Sequence, residues 1–117
     1  MIFAQNAAAE NWVIYAEGDS SVHYIETETI KERGGFVYFW TMGDLVEPTP
    51  SGDLSIKSYE KVDCDLERRQ RLSYVFYKES MGRGTPDYED SLNKEWAYMI
   101  PGSIEATGSR FACSFID

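Results

Sequence analysis

Strand chemistry dominates the chain from Trp12 onward. Trp12-Val13-Ile14-Tyr15-Ala16 is a run of β-formers that ends at the turn cluster Glu17-Gly18-Asp19-Ser20. Val22 to Thr27 follows, so the first two strands are predicted to form a hairpin. Thr29 to Arg33 is ambiguous before the Gly34-Gly35 break, whereas Gly35 to Met42 reads as a strand that is apolar or aromatic on both faces. That pattern fits a central strand covered on both sides, or one whose aromatic face is reserved for a partner. Glu47 to Gly52, with two prolines, is predicted to be a loop.

Beyond the loop the alternation is clean. Ile56, Val62 and Cys64 share one face, and Lys57, Lys61 and Asp63 the other, giving a strand with one wet side and an inward Cys. In the next strand Leu72, Tyr74 and Phe76 face one way, with Arg69, Arg71, Ser73, Val75 and Tyr77 opposite. Met81 to Asn93 reads as a polar, Gly- and Pro-bearing excursion, and Glu95 to Ile100 as a short strand stopped by Pro101-Gly102. Ser103 is placed to N-cap a helix through Cys113 or slightly beyond, with Ile104, Phe111 and Phe115 in one stripe, although Gly108 costs it about 1 kcal/mol. The expected fold is mainly β (α+β): a single antiparallel sheet of about six strands with a short C-terminal helix tied to it.

Composition narrows the function classes. With 117 residues the chain has room for one domain, and 43% hydrophobic and 15% aromatic residues are enough to fold it. A net charge of −9 argues against nucleic acid and against anionic lipid, and the longest uncharged stretch, Gly34 to Gly43, is too short to insert in a membrane. Ala7-Ala8-Ala9 before Glu10 looks like a signal-peptidase site, so residues 1–9 are expected to be a signal-peptide remnant or an arm, and residues 10–117 the domain. Cys64 and Cys113 have no neighbouring Cys for a metal motif. In an exported protein they make most simply a disulfide, closing a loop whose constraint stabilises by about 4 kcal/mol; in a cytosolic one they would be two buried thiols.

No catalytic or metal-binding set is apparent, so neither an enzyme nor a cofactor is expected. His23 is the single histidine, and no nucleophile elbow surrounds the nearby Ser20, Ser21 and Tyr24. Asp63 and Asp65 sit at i, i+2 on a wet face, where like charges raise one pKa. Asp87 to Asp90 lacks the spacing of a calcium loop. Arg68, Arg69 and Arg71 form a basic cluster that suits a carboxylate or heparin contact, though the neighbouring Glu60 and Glu67 are placed to balance it. The aromatics are more numerous than a core of this size needs, and Tyr and Trp anchor interfaces at low entropic cost. Tyr38, Trp40, Tyr74, Tyr77 and Trp96 are therefore the candidate binding residues.

Certain residues recur in a familiar order. Trp12, Tyr24 with Thr29-Ile30, and Phe39-Trp40 are followed by Val62-Asp63-Cys64, Arg71-Leu72-Ser73 with Tyr77, Trp96, Pro101-Gly102-Ser103 and Cys113. This set resembles the bacterial surface-adhesin E family of small exported Gram-negative proteins, over about residues 12 to 113. The resemblance implies a C-terminal helix held on the concave face of an antiparallel sheet by a Cys64–Cys113 disulfide. It also implies a surface protein that binds host extracellular-matrix and serum proteins and forms a homodimer. The expected function is a non-enzymatic binding module for a protein partner, exported to the periplasm or outer cell surface. The alternatives are a small-ligand or haem binder using His23 and the Met residues, and an inhibitor of a secreted enzyme using the Met81 to Asn93 segment.

Overall fold

Eight strands and one helix make up the computed structural model, which describes residues 10–116. The signal-peptide expectation on residues 1–9 lies outside the described residues. The strands are Trp12–Glu17 (β1), Ser21–Glu26 (β2), Lys31–Arg33 (β3), Phe36–Leu45 (β4), Ser55–Asp63 (β5), Arg68–Tyr77 (β6), Asp87–Asp90 (β7) and Ala97–Tyr98 (β8). Ile104–Ile116 is the helix, α1. All strands join one antiparallel sheet in the order β1-β2-β4-β5-β6-β7, with β3 added to β4 beside β2 and β8 added to β6 beside β7.

A buried carboxylate sets the break between β2 and β3, which both pair with β4. Glu26, only 3% exposed, accepts hydrogen bonds from the Asn11, Glu28 and Thr29 amides and from the Thr29 hydroxyl at 2.6–3.0 Å. Burial alone would raise its pKa, but these donors outweigh it and hold the carboxyl below its ordinary value. The ambiguous stretch before the Gly34-Gly35 turn is thus a jog followed by a three-residue strand.

The core lies between the sheet and α1. Ile25, Val37, Phe39 and Val62 project from one sheet face onto Ala112 of the helix, with Val13, Tyr15 and Phe111 packed around them. The Cys64–Cys113 disulfide joins the end of β5 to α1, with Cα atoms 6.1 Å apart. Ser103 caps the helix as expected, its hydroxyl accepting the Ala106 amide at 3.1 Å.

Three expectations are corrected. The buried stripe of α1 is Ala106, Gly108, Ser109 and Ala112, while Ile104 and Phe115 are 43% and 54% exposed. Small residues let the helix lie close to the sheet, and Gly108 is required there: a Cβ would stand 2.8 Å from the Tyr15 ring. The second correction concerns β6. Tyr59 pairs with Ser73 but Glu60 pairs with Arg71, so Leu72 is the extra residue of a bulge. Parity flips there, and Arg69 and Arg71 share the helix side with Tyr74 and Phe76 instead of opposing them. The third is the polar excursion, which contains the strand β7, while the strand expected over Glu95 to Ile100 shrinks to Ala97–Tyr98. An edge strand of exposed Asp, Tyr and Glu carries no apolar alternation, because backbone bonds to β6 hold it rather than burial.

Candidate functional site

The sheet has two unlike faces. The helix side carries the core. On the other side no helix packs among the described residues, and alternation along β4 and β5 brings Phe36, Tyr38 and Trp40 next to Lys57, Tyr59 and Lys61. Trp40 and Tyr59 are register partners with ring centroids 4.9 Å apart, and Tyr38 lies 6.1 Å from Tyr59. Trp96, arriving from the segment before β8, stands 5.3 Å from Phe36. Burial among these rings raises the Tyr59 pKa. Toward β1 a groove of about 260 Å³ runs between Trp12, Trp40, Lys57, Tyr77 and Tyr88.

Cations interleave with these rings. Lys61 Nζ lies 4.4 Å from the Phe36 centroid, 5.5 Å from Trp96 and 5.8 Å from Tyr38. The Arg68 guanidinium is 4.4 Å over Trp96, Arg33 is 5.6 Å over Tyr38, and Lys57 sits 5.2 Å from both Trp12 and Tyr77. Each such contact contributes about 0.5–1 kcal/mol at an exposed site and fixes the cation over a ring.

One end of this face is closed. The 3-10 turn Ser80–Gly82 folds over it, the Met81 amide donating to Asp44 at 2.8 Å and the Gly82 amide to the Ser55 hydroxyl at 2.9 Å. Gly82 has φ +68°, a conformation that favours glycine, and the Lys57 side chain packs over it. Met42 and Ser55 are consequently buried.

Four of the five candidate aromatics share the helix-free side: Tyr38, Trp40, Tyr77 and Trp96. Tyr77 is 7% exposed and forms floor rather than surface. Tyr74 lies on the opposite face, opposite Ser58, because the Leu72 bulge inverts the strand between Arg71 and Ser73. Trp12, Phe36 and Tyr59 belong to the aromatic surface as well. Their signal was the i, i+2, i+4 spacing of Phe36, Tyr38 and Trp40, whose cross-strand partners on β5 only the register identifies.

The helix side holds a cavity of about 250 Å³ between the first turns of α1 and the sheet. Its polar wall is Glu60, 5% exposed, whose Oε2 accepts from Arg71 Nε at 3.0 Å; Glu105 is 3.8 Å from Arg71. Burial pushes the Glu60 carboxyl up despite Arg71, and it pushes the Tyr15 phenol up as well. His23 lines the same cavity, its pKa lowered by burial, and its Nε2 is 2.8 Å from the Ser21 hydroxyl. No carboxylate hydrogen-bonds the imidazole among the described residues, so the pair lacks the third group that orients a catalytic base.

The remaining sequence candidates do not converge. Met42 projects to the helix-free side and His23 to the helix side, so the two cannot meet one ligand. Met99 packs by the disulfide at another end. Asp87 to Asp90 is extended, which splays alternate side chains to opposite faces, and no group of three or more metal-ligating side chains occurs among the described residues. Arg71 pairs with Glu60 as expected, but Arg68 pairs with Asp63 and not with Glu67. Asp63 is shifted down rather than up: the Leu66 amide, and then Arg68 and the Asp65 amide, stabilise its charge more than desolvation disturbs it.

Comparison with known proteins agrees with this architecture. No curated protein matches the chain by sequence. Structures of Haemophilus influenzae protein E superpose with a TM-score of 0.69 at 18% identity, covering 94% of this chain and 87% of the other. A second crystal form gives 0.65 at 18%, covering 86% and 91%. The protein E structure from non-typeable Haemophilus influenzae also gives 0.65 at 18%, covering 97% and 84%. At such identity the likeness is one of fold. Among the described residues no helix is long and apolar enough to cross a membrane. The profile of surface-adhesin protein E matches residues 12–114, nearly the whole chain, and the chain belongs to the surface-adhesin protein E family.

Proposed function

We propose that the protein is an exported, non-enzymatic binding module that recognises a protein partner through the helix-free aromatic face. The observation that carries this reading is that face itself. Phe36, Tyr38, Trp40 and Tyr59 stay half-exposed on a sheet whose other side already supplies the core. Large rings held rigid by neighbouring strands bring contact area at little entropic cost, the chemistry of interface anchors. Family membership supports a surface setting over a periplasmic one, and host extracellular-matrix and serum proteins as the partner class. A homodimer fits the same architecture. Among the described residues the outer edge of β1 has no strand beside it, whereas the acidic β7 edge repels a second copy of itself.

The test is binding of the purified chain to immobilised matrix and serum proteins. Trp40→Ala and Tyr38→Ala are expected to weaken binding at least tenfold, and Tyr74→Ala, on the opposite face, to leave it unchanged. Equal losses from all three, or no binding by the unaltered chain, would overturn the proposal.

A further inference from the structure

We infer that the end of the helix-free face around Trp96 is a binding site for a sulfated polysaccharide. This rests on the reading of that face as the binding surface and names the chemistry of what it meets. The chain carries −9 overall, yet Lys31, Arg33, Lys57, Lys61 and Arg68, five of its 11 basic residues, lie on this face. Only Arg68 has a carboxylate within salt-bridge distance among the described residues, Asp63 at 3.2 Å. The buried acid of this face, Glu26, is fully engaged by backbone and hydroxyl donors. Aromatic rings hold the free cations without cancelling their charge.

Register arranges these cations in two rows across the strands. Lys31, Tyr38, Lys61 and Gln70 are successive partners from β3 to β6, and Arg33 with Phe36 lies in the neighbouring row, as does Arg68 opposite Tyr98. With strands about 4.8 Å apart, Lys31 and Lys61 stand about 10 Å apart. Such a row suits a linear ligand with repeated anionic groups rather than one isolated charge. Sulfates are ionised at every physiological pH and accept strong charge-assisted hydrogen bonds from Lys and Arg. The rings of Trp96, Phe36 and Tyr98, the last 69% exposed, offer flat apolar surface to the C–H faces of sugar rings. Basic rows between aromatics would also suit single-stranded nucleic acid. The cell-surface setting of the family favours a polysaccharide. Asp63, paired with Arg68 at 3.2 Å, offsets that one cation and leaves Lys31, Arg33 and Lys61 to meet the ligand, while acids beyond the Debye length of about 8 Å are largely screened at physiological salt.

The probe is a heparin oligosaccharide, titrated calorimetrically into the intact chain at 50 and 200 mM salt. Binding is expected, weakening about tenfold or more between the two salts as counterions are displaced. Arg33→Glu with Lys61→Glu should abolish it, while Arg83→Glu with Arg110→Glu, which leaves the patch intact, should not; thermal melts check that each variant folds. Fully desulfated heparin, which needs no variant, should not bind. The inference falls if heparin fails to bind at 50 mM salt, if both variant pairs lose binding equally, or if polyglutamate or an oligonucleotide binds as tightly. Matrix proteins stripped of sulfated chains separate the two proposals. If they still bind through Trp40 while heparin does not, the protein-binding reading stands and this inference fails.

Discussion

On the helix side Ile25, Val37, Phe39 and Val62 are at most 4% exposed; on the other side Phe36, Tyr38 and Trp40, which alternate with Val37 and Phe39 along β4, and Tyr59 on β5 stay only half-buried. One strand, β4, thus supplies both a core row and a surface row, two residues at a time. The difference lies in what covers each face. A helix with a stripe of small residues, pinned through Cys113, seals the first. On the second, among the described residues, the Ser80–Gly82 turn covers the Met42 end and Trp96 the other. Large apolar rings left outside a sufficient core, and interleaved with cations, are what the proposed recognition role rests on.

The two faces should respond differently to change, most strongly at the covalent tie. Cys64→Ala and Cys113→Ala should each cost about 4 kcal/mol in chemical denaturation, and the double variant should add little to either. Additive losses would show that the two sulfurs act independently. Next in size is Glu26→Gln, expected to cost about 2–3 kcal/mol, since buried bonds to a charged acceptor are lost together. The pH dependence has a definite sign. Glu26 has a folded pKa below its unfolded value of about 4.3, so its contribution is full above that pH and is lost as pH falls through the folded value. Glu60, raised by burial, works the opposite way: its proton is held more tightly when folded, so stability declines as pH rises from the unfolded value through the folded one. Urea denaturation from pH 3 to 7 of the Glu26→Gln and Glu60→Gln variants would separate the two contributions.

Smaller effects sharpen the contrast further. Gly108→Ala gains helix propensity of about 1 kcal/mol but drives a methyl into Tyr15, and a net loss of about 1–2 kcal/mol is expected in thermal melts. A stabilised variant would mean that α1 can rise from the sheet at no cost. Tyr38→Ala on the open face should cost least, about 1 kcal/mol or less, while giving the largest loss of binding. A large loss of stability there would make the aromatic surface a second core and remove the case for recognition.

Much of the fold was legible because burial imposes a period. The β1–β2 hairpin, β4, β5 and the Ser103-capped helix follow from alternation, turn residues and capping chemistry, all local signals. β7 was not, since an exposed edge strand is held by backbone bonds that leave no mark on its side chains. The candidate site was legible in part. Residue type and spacing marked Tyr38 and Trp40, but one bulged residue, Leu72, sent Tyr74 to the wrong side for its sequence parity. By itself the sequence determined the fold class, the family, the surplus of aromatics and the two cysteines available to pair. Only the tertiary structure decided which aromatics share a face and that Arg33, Lys61 and Arg68 converge on Phe36, Tyr38 and Trp96 across four strands and a loop. The physical reason is that alternation fixes a side chain's face within one strand, while register and bulges, set between strands, decide which faces meet.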